Sequence, residues 1–133
     1  MKILLISYGD FEYDGRLREL YKISKNLGEV FLISRGKEKI DTNHCILNCS
    51  YYSFVKKTVN FGNKIEGIDV LFLDNRKSII PGLKLKKHFK EAKIVLDCRE
   101  LYLSKDVKHL SGKIGCLIEK RGIKAADVII CAS

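Results

Sequence analysis

Long apolar runs are missing from this sequence. No stretch approaches the ~18 residues that would suggest a membrane span. The Ile3-Leu4-Leu5-Ile6 run behind Met1-Lys2 is too short for a secretory leader and has no small-residue cleavage site after it. Export is not expected. Paired cysteine spacings are missing too. Cys45, Cys49, Cys98, Cys116 and Cys131 are odd in number and form no Cys-x-x-Cys, which speaks for reduced, buried thiols in a cytosolic protein over disulfides or zinc. His44, His88 and His109 are scattered without metal-ligand spacing. No repeat, low-complexity segment or internal linker divides the chain.

A glycine-rich phosphate loop is also lacking. The turn after the first apolar run holds only Gly9 and Gly15, far apart, with no G-x-G-x-x-G and no Walker lysine. An NAD site is disfavoured. The net charge of +9 is high, but the lysines are dispersed, with no recognition-helix, zinc-finger or aromatic RNA-binding motif beside them. Nucleic acid is not an expected partner.

What the chain does have is rhythm. Its 133 residues, 46% apolar and 31% charged, suffice for one domain with a real core. Short apolar runs at Ile3 to Ile6, Val30 to Ile33, Cys45 to Leu47, Val70 to Leu73, Ile94 to Leu96 and Asp127 to Cys131 read as strands. Helical spacing links Leu17, Leu20, Tyr21, Ser24 and Leu27, and Gly28 stops that helix as a C′ residue would. A second helix is predicted over Tyr51 to Ile65. A third starts at Pro81, the only proline, with Leu83, Leu85, Phe89 and Ala92 on its apolar face. After an irregular polar stretch from Leu101 to Leu110, Ser111 caps a fourth helix whose Ile114, Leu117, Ile118, Arg121 and Ala125 share a face. Strands alternating with helices predict an α/β fold, a single-domain, Rossmann-like, doubly wound parallel sheet.

Such sheets place ligands outside the carboxyl ends of their strands. The run Lys93-Ile94-Val95-Leu96-Asp97-Cys98-Arg99-Glu100 ends there in three ionisable side chains, making it the site candidate. A phospho-receiver domain has a comparable sheet, with Asp74 closing a strand. It also needs an acidic pair after the first strand and a hydroxyl after the fourth, whereas this chain offers Ser7-Tyr8 and Asp97-Cys98-Arg99. That reading is set aside.

Three segments carry a family resemblance. Asp14-Gly15-Arg16-Leu17-Arg18-Glu19-Leu20, followed by Leu27-Gly28-Glu29-Val30, resembles the first βαβ unit of the family 4 glycosyltransferases, the retaining group with the GT-B fold. Leu96-Asp97-Cys98-Arg99-Glu100-Leu101-Tyr102 looks like their strand-end signature, with Arg99 where many members have histidine. Ile118-Glu119-Lys120-Arg121, then Ala126-Asp127-Val128-Ile129-Ile130-Cys131-Ala132-Ser133, is similar to their next motif. In the first loop many members carry paired glycines where this chain has Tyr13-Asp14-Gly15.

The resemblance implies that residues 1–133 are the N-terminal, acceptor-side half of such an enzyme, still short of its last elements, with the donor-binding C-terminal domain absent. The parent enzyme would transfer a sugar, without a metal, from a nucleotide-sugar to a saccharide or lipid-linked acceptor in glycan biosynthesis. The isolated chain would be inactive. Asp14, Gly15 and Arg16 would line the acceptor loop, and Asp97, Arg99 and Glu100 would face the cleft, Arg99 contacting an anionic or hydroxyl-rich group.

Each residue also has a plainer role. Asp14 caps a helix, Arg16 is solvated, Asp97 shapes the site as a hydrogen-bond acceptor rather than serving as a base, and Glu119 and Asp127 are structural. No catalytic residue is assigned. Lys56, Lys57, Lys84, Lys86, Lys87 and Lys90, near Phe54, Val55, Phe61 and Phe89, read either as a solvated face or as a surface for an anionic membrane. The location expected is cytoplasmic, with or without membrane association. A non-catalytic α/β binding or interaction module is the alternative from another class.

Overall fold

A computed structural model describes residues 1–99 and 110–131. Its strands are β1 (Lys2–Asp10), β2 (Glu29–Arg35), β3 (His44–Ile46), β4 (Val70–Asp74), β5 (Lys93–Cys98) and β6 (Val128–Cys131). Its helices are α1 (Gly15–Leu27), α2 (Tyr51–Asn63), α3 (Ile79–His88) and α4 (Leu110–Ala125), with a 3-10 turn at Arg76–Ser78 leading into α3. The six strands form one parallel sheet in the order β3-β2-β1-β4-β5-β6. This is the doubly wound Rossmann-like arrangement expected from the alternation. The chain reverses direction across the sheet between β1 and β4, so the switch point lies there.

The central strands read as continuous apolar runs because both their faces are covered. Leu4, Ile6, Leu71, Leu73, Ile94 and Leu96 face α2, α3 and α4, in a core with Phe54, Ile79, Leu85 and Phe89. Ile3, Leu5, Val30, Leu32 and Phe72 face α1 through Leu17 and Leu20.

Several local expectations change. Gly28 ends α1 in extended rather than left-handed backbone, at φ 174°. Glycine is required there because a Cβ would collide with the Met1 carbonyl, which accepts the Glu29 N–H. Pro81 sits at the third residue of α3, still among the N–H groups that have no intrahelical acceptor. Ser111 lies inside the first turn of α4 instead of ahead of it.

The buried stripe of α4 is Gly115, Glu119 and Gly122, while Ile114 and Leu117 are exposed. The two glycines let α4 settle against Arg76 and Ile79, which turns the helix away from its larger side chains. Of the five thiols only Cys98 is buried; Cys131 is exposed and the other three are half-buried. The segment Leu101 to His109 and Glu100 lie outside the described residues.

Candidate functional site

The carboxyl ends of β1, β4 and β5 meet at the switch point, and the sequence there departs from apolar to polar. Leaving β1, Ile6 pairs with Ile33 and Asp10 with Arg35, so β1 takes four steps where β2 takes two. This bulge carries Ser7, Tyr8 and Gly9 out of the regular pleat. Gly9 has no room for a side chain, because a Cβ would lie 2.7 Å from Asp14 Oδ2 and 3.1 Å from Ser7 Oγ. Leaving β4, Asn75 takes φ 68° with ψ −179°, an extended positive-φ conformation that non-glycine residues rarely adopt, and its N–H donates to Asp97 O at 2.8 Å. Ser78 then turns back, its hydroxyl 2.7 Å from Ile6 O and 2.8 Å from Asp74 O. The ends of β1 and β4 are thereby fixed to each other.

Two arginine–carboxylate pairs cross this floor. Arg16, in the first turn of α1, grips Asp97 with two nitrogens, Nε donating to Oδ2 at 2.8 Å. Asp97 is fully buried, and its hydrogen bonds hold the Arg16 guanidinium above its ordinary pKa. Arg99 grips Asp74 in the same forked way, Nε to Oδ1 at 3.1 Å and Nη2 to Oδ2 at 3.0 Å, and its Nη1 lies 2.9 Å from Asp14 Oδ2. Ser7 Oγ donates to Asp74 Oδ2 at 2.6 Å. Burial pushes the Asp74 carboxyl up to about 6, held back by the Ser7 hydroxyl and the Arg99 charge.

These walls enclose an open crevice of about 290 Å³ lined by Ser7, Gly9, Asp14, Asp74, Asn75 and Arg99, with Tyr8, Arg35 and Lys77 at its rim. The Tyr8 ring is fixed by its hydroxyl, which donates to Cys49 O at 2.9 Å, and by edge contacts with Tyr51 and Phe54. Tyr51, whose phenol burial raises to about 12, stays a neutral donor to Lys77 O at 2.8 Å. A larger cavity of about 480 Å³ lies in the α2–α3 groove, but its wall is apolar apart from Lys56, Lys84, Asn60 and the hydroxyls of Tyr51 and Tyr52. The concentration of ionisable groups belongs to the smaller one.

Of the residues singled out in the sequence, Asp14 both caps α1, accepting the Leu17 N–H at 3.1 Å, and lines the crevice. Arg99 lines it as well, but its guanidinium is committed to Asp74 and Asp14, leaving it little freedom to meet a ligand. Arg16 and Asp97 stand behind the wall as a buttress. Gly15 is exposed on the first turn of α1, outside the lining, and Glu100 lies outside the described residues.

Sequence reasoning passed over Ser7, Arg35, Asp74, Asn75 and Lys77. The rule that pointed to the end of β5 would have found them, had it been applied equally to the ends of β1, β2 and β4. Among the described residues, no three His, Cys, Asp or Glu side chains gather as a metal ion would need, and no helix is long and apolar enough to cross a membrane.

The chain matches no protein-family profile and no curated protein. Among solved structures it is similar along its whole length to part of a sucrose-phosphate synthase from Thermosynechococcus elongatus, with a TM-score of 0.71 and 15% identity. It spans 42% of that chain. A likeness at this identity is one of fold alone: the same Rossmann-like unit.

Proposed function

We propose that this chain is a glycosyltransferase-type α/β domain, the acceptor-side half of a two-domain enzyme of GT-B architecture and family 4 type. The observation that carries the reading is the whole-chain likeness to part of a sucrose-phosphate synthase, a GT-B glycosyltransferase. The three sequence segments that resemble family 4 add to it. In this reading the enzyme moves a sugar from a nucleotide-sugar to a saccharide or lipid-linked acceptor in glycan biosynthesis. A second, C-terminal domain holds the donor, and the crevice between β1 and β4 faces it.

The chemistry of the crevice suits an acceptor. Carboxylates and forked guanidiniums fixed by one another offer hydroxyl groups both acceptors and donors at rigid positions, which is how a polyol is oriented without reorganising the site. Arg16 and Asp97 hold the wall, Asp14 and Arg99 present it, and the Asp74 carboxyl, raised by burial, sits at its base.

The membrane expectation takes a revised form. Phe54, Val55 and Phe89 are core residues, and Lys86 Nζ is tied to Lys90 O and Ala92 O. Lys56, Lys57, Lys84, Lys87 and Lys90 remain exposed, and of these Lys56, Lys84 and Lys87 line the α2–α3 and α3–α4 grooves, with Tyr52 exposed beside them. We place this cationic face against an anionic cytoplasmic membrane, where a lipid-linked acceptor would be met.

Amide chemical-shift titration of the labelled chain with simple saccharides tests the acceptor reading. Shifts clustered at Ser7, Gly9, Asn75 and Lys77 are expected. Their absence, or a cluster at another surface, would overturn it.

A further inference from the structure

The groups around the crevice divide by whether they are already engaged. On the floor, Arg99 is taken up by Asp74 and Asp14, and behind it Arg16 is taken up by Asp97. That leaves three carboxylates against two guanidiniums, a slight excess of negative charge. On the rim the balance reverses. Arg35 and Lys77 have no carboxylate at ion-pair distance among the described residues, and each stands over the Tyr8 ring, at 5.2 Å and 4.9 Å from its centroid. Lys77 is also 5.6 Å from the centre of the Tyr51 ring.

A ring face attracts a cation without occupying its N–H groups, so these contacts aim the two charges while leaving their donors open. The backbone beneath is rigid. Arg35 O accepts from Phe11 N and from Ser34 Oγ, both at 2.9 Å, and Ser34 Oγ is backed at 2.8 Å by the buried ring of His44. On the other side, Lys77 O accepts from the Tyr51 hydroxyl. One cation ends β2 and the other follows β4, so they flank β1 from both sides. A volume of about 290 Å³ is at the small end of ligand pockets, which run to about 1,000 Å³.

We infer that the crevice takes a monosaccharide-sized, hydroxylated molecule bearing one anionic group, a phosphate ester or a carboxylate, with Arg35 and Lys77 holding the anion and the acidic floor holding the hydroxyls. The inference rests on the acceptor reading and names its substrate class. Arg35 supplies a planar fork suited to either anion, and Lys77 a mobile point charge that can follow it. An extra carboxylate or phosphate on the floor side would meet Asp14 and Asp74, so the anion has one favourable end of the crevice.

Titration of the chain with glucose, glucose 6-phosphate, glucuronate and inorganic phosphate, followed by the amides of Gly9, Asn75 and Lys77, tests it. Glucose 6-phosphate or glucuronate should bind at least about tenfold more tightly than glucose. That gain should vanish in Arg35→Gln and Lys77→Gln, whose exposed side chains carry no ion pair among the described residues, and survive in Lys84→Gln. The phosphate and carboxylate arms tell which anion fits. Equal binding of glucose and its anionic derivatives overturns the inference and leaves the saccharide site standing. A gain that persists in both rim variants overturns it by placing the anion elsewhere. Binding by neither sugar nor phosphate removes the acceptor reading with it.

Discussion

Arg16 and Asp97 join the first turn of α1 to the end of β5, Nε to Oδ2 at 2.8 Å, with the carboxylate fully buried. The two residues are 81 positions apart in the chain. A buried carboxylate that loses its only forked partner cannot be solvated in place, so the pair matters less for its own attraction than for the cost of breaking it. Arg16→Ala should lower stability by about 3 kcal/mol, the low end of the range for broken buried pairs because the arginine side is partly open to water. Denaturant unfolding measures this. A loss under about 0.5 kcal/mol, the scale of an ordinary surface substitution, would mean that Asp97 finds another partner.

Asp74 predicts a pH dependence with an unusual sign. Its folded pKa, about 6, lies above the ordinary aspartate value, so between about pH 4 and 6 the folded chain binds more protons than the unfolded one. Its contribution to stability is therefore present in acid and lost as pH rises through that window. Glu12 and Asp41, both lowered to about 2 by hydrogen bonds to Lys37 N–H and Lys25 respectively, run the other way, losing their contribution as pH falls. The comparison that isolates Asp74 is the wild-type chain against Asp74→Asn. Their difference in unfolding free energy should move against the wild type by about 2–3 kcal/mol from pH 4 to 7. A difference constant with pH would show that Asp74 ionises as a surface aspartate does.

Nucleotide binding should be weak. The first loop has no glycine-rich cradle, and the N-terminus of α1, where a pyrophosphate would sit, is occupied by the Asp14 carboxylate accepting the Leu17 N–H. Calorimetry with NAD and with uridine or guanosine diphosphate sugars should show no micromolar affinity, and no sugar release should follow on incubation. A micromolar dissociation constant would place a donor site on this chain.

The basic face is tested by sedimentation with vesicles. Each lysine near an anionic bilayer contributes about 1 kcal/mol, and α2, α3 and α4 contain no acidic residue except Glu119, which is buried. Binding to phosphatidylserine-containing vesicles should appear at low salt, vanish at high salt, and weaken several-fold in Lys56→Glu with Lys84→Glu and Lys87→Glu. No sedimentation at low salt would reduce the face to a solvated one.

The sequence by itself determined the layers. Apolar runs of strand length, alternating with helically spaced leucines, force a parallel sheet covered on both faces, and the switch to charged residues after Leu96 marks a carboxyl end. Periodicity is a local property, read within a dozen residues, so it survives without knowing what lies across the sheet. Tertiary structure decided the pairings. Asp97 meets Arg16, Asp74 meets Arg99 and Ser7, and Arg35 and Lys77 reach one tyrosine, because strand order sets β1 between β2 and β4. The same applies to α4, whose apolar spacing favoured Ile114 and Leu117 while close approach to Ile79 selected Gly122. A hydrophobic pattern states that a face will be buried; only the neighbouring element, by its shape, decides which residues can stand closest to it.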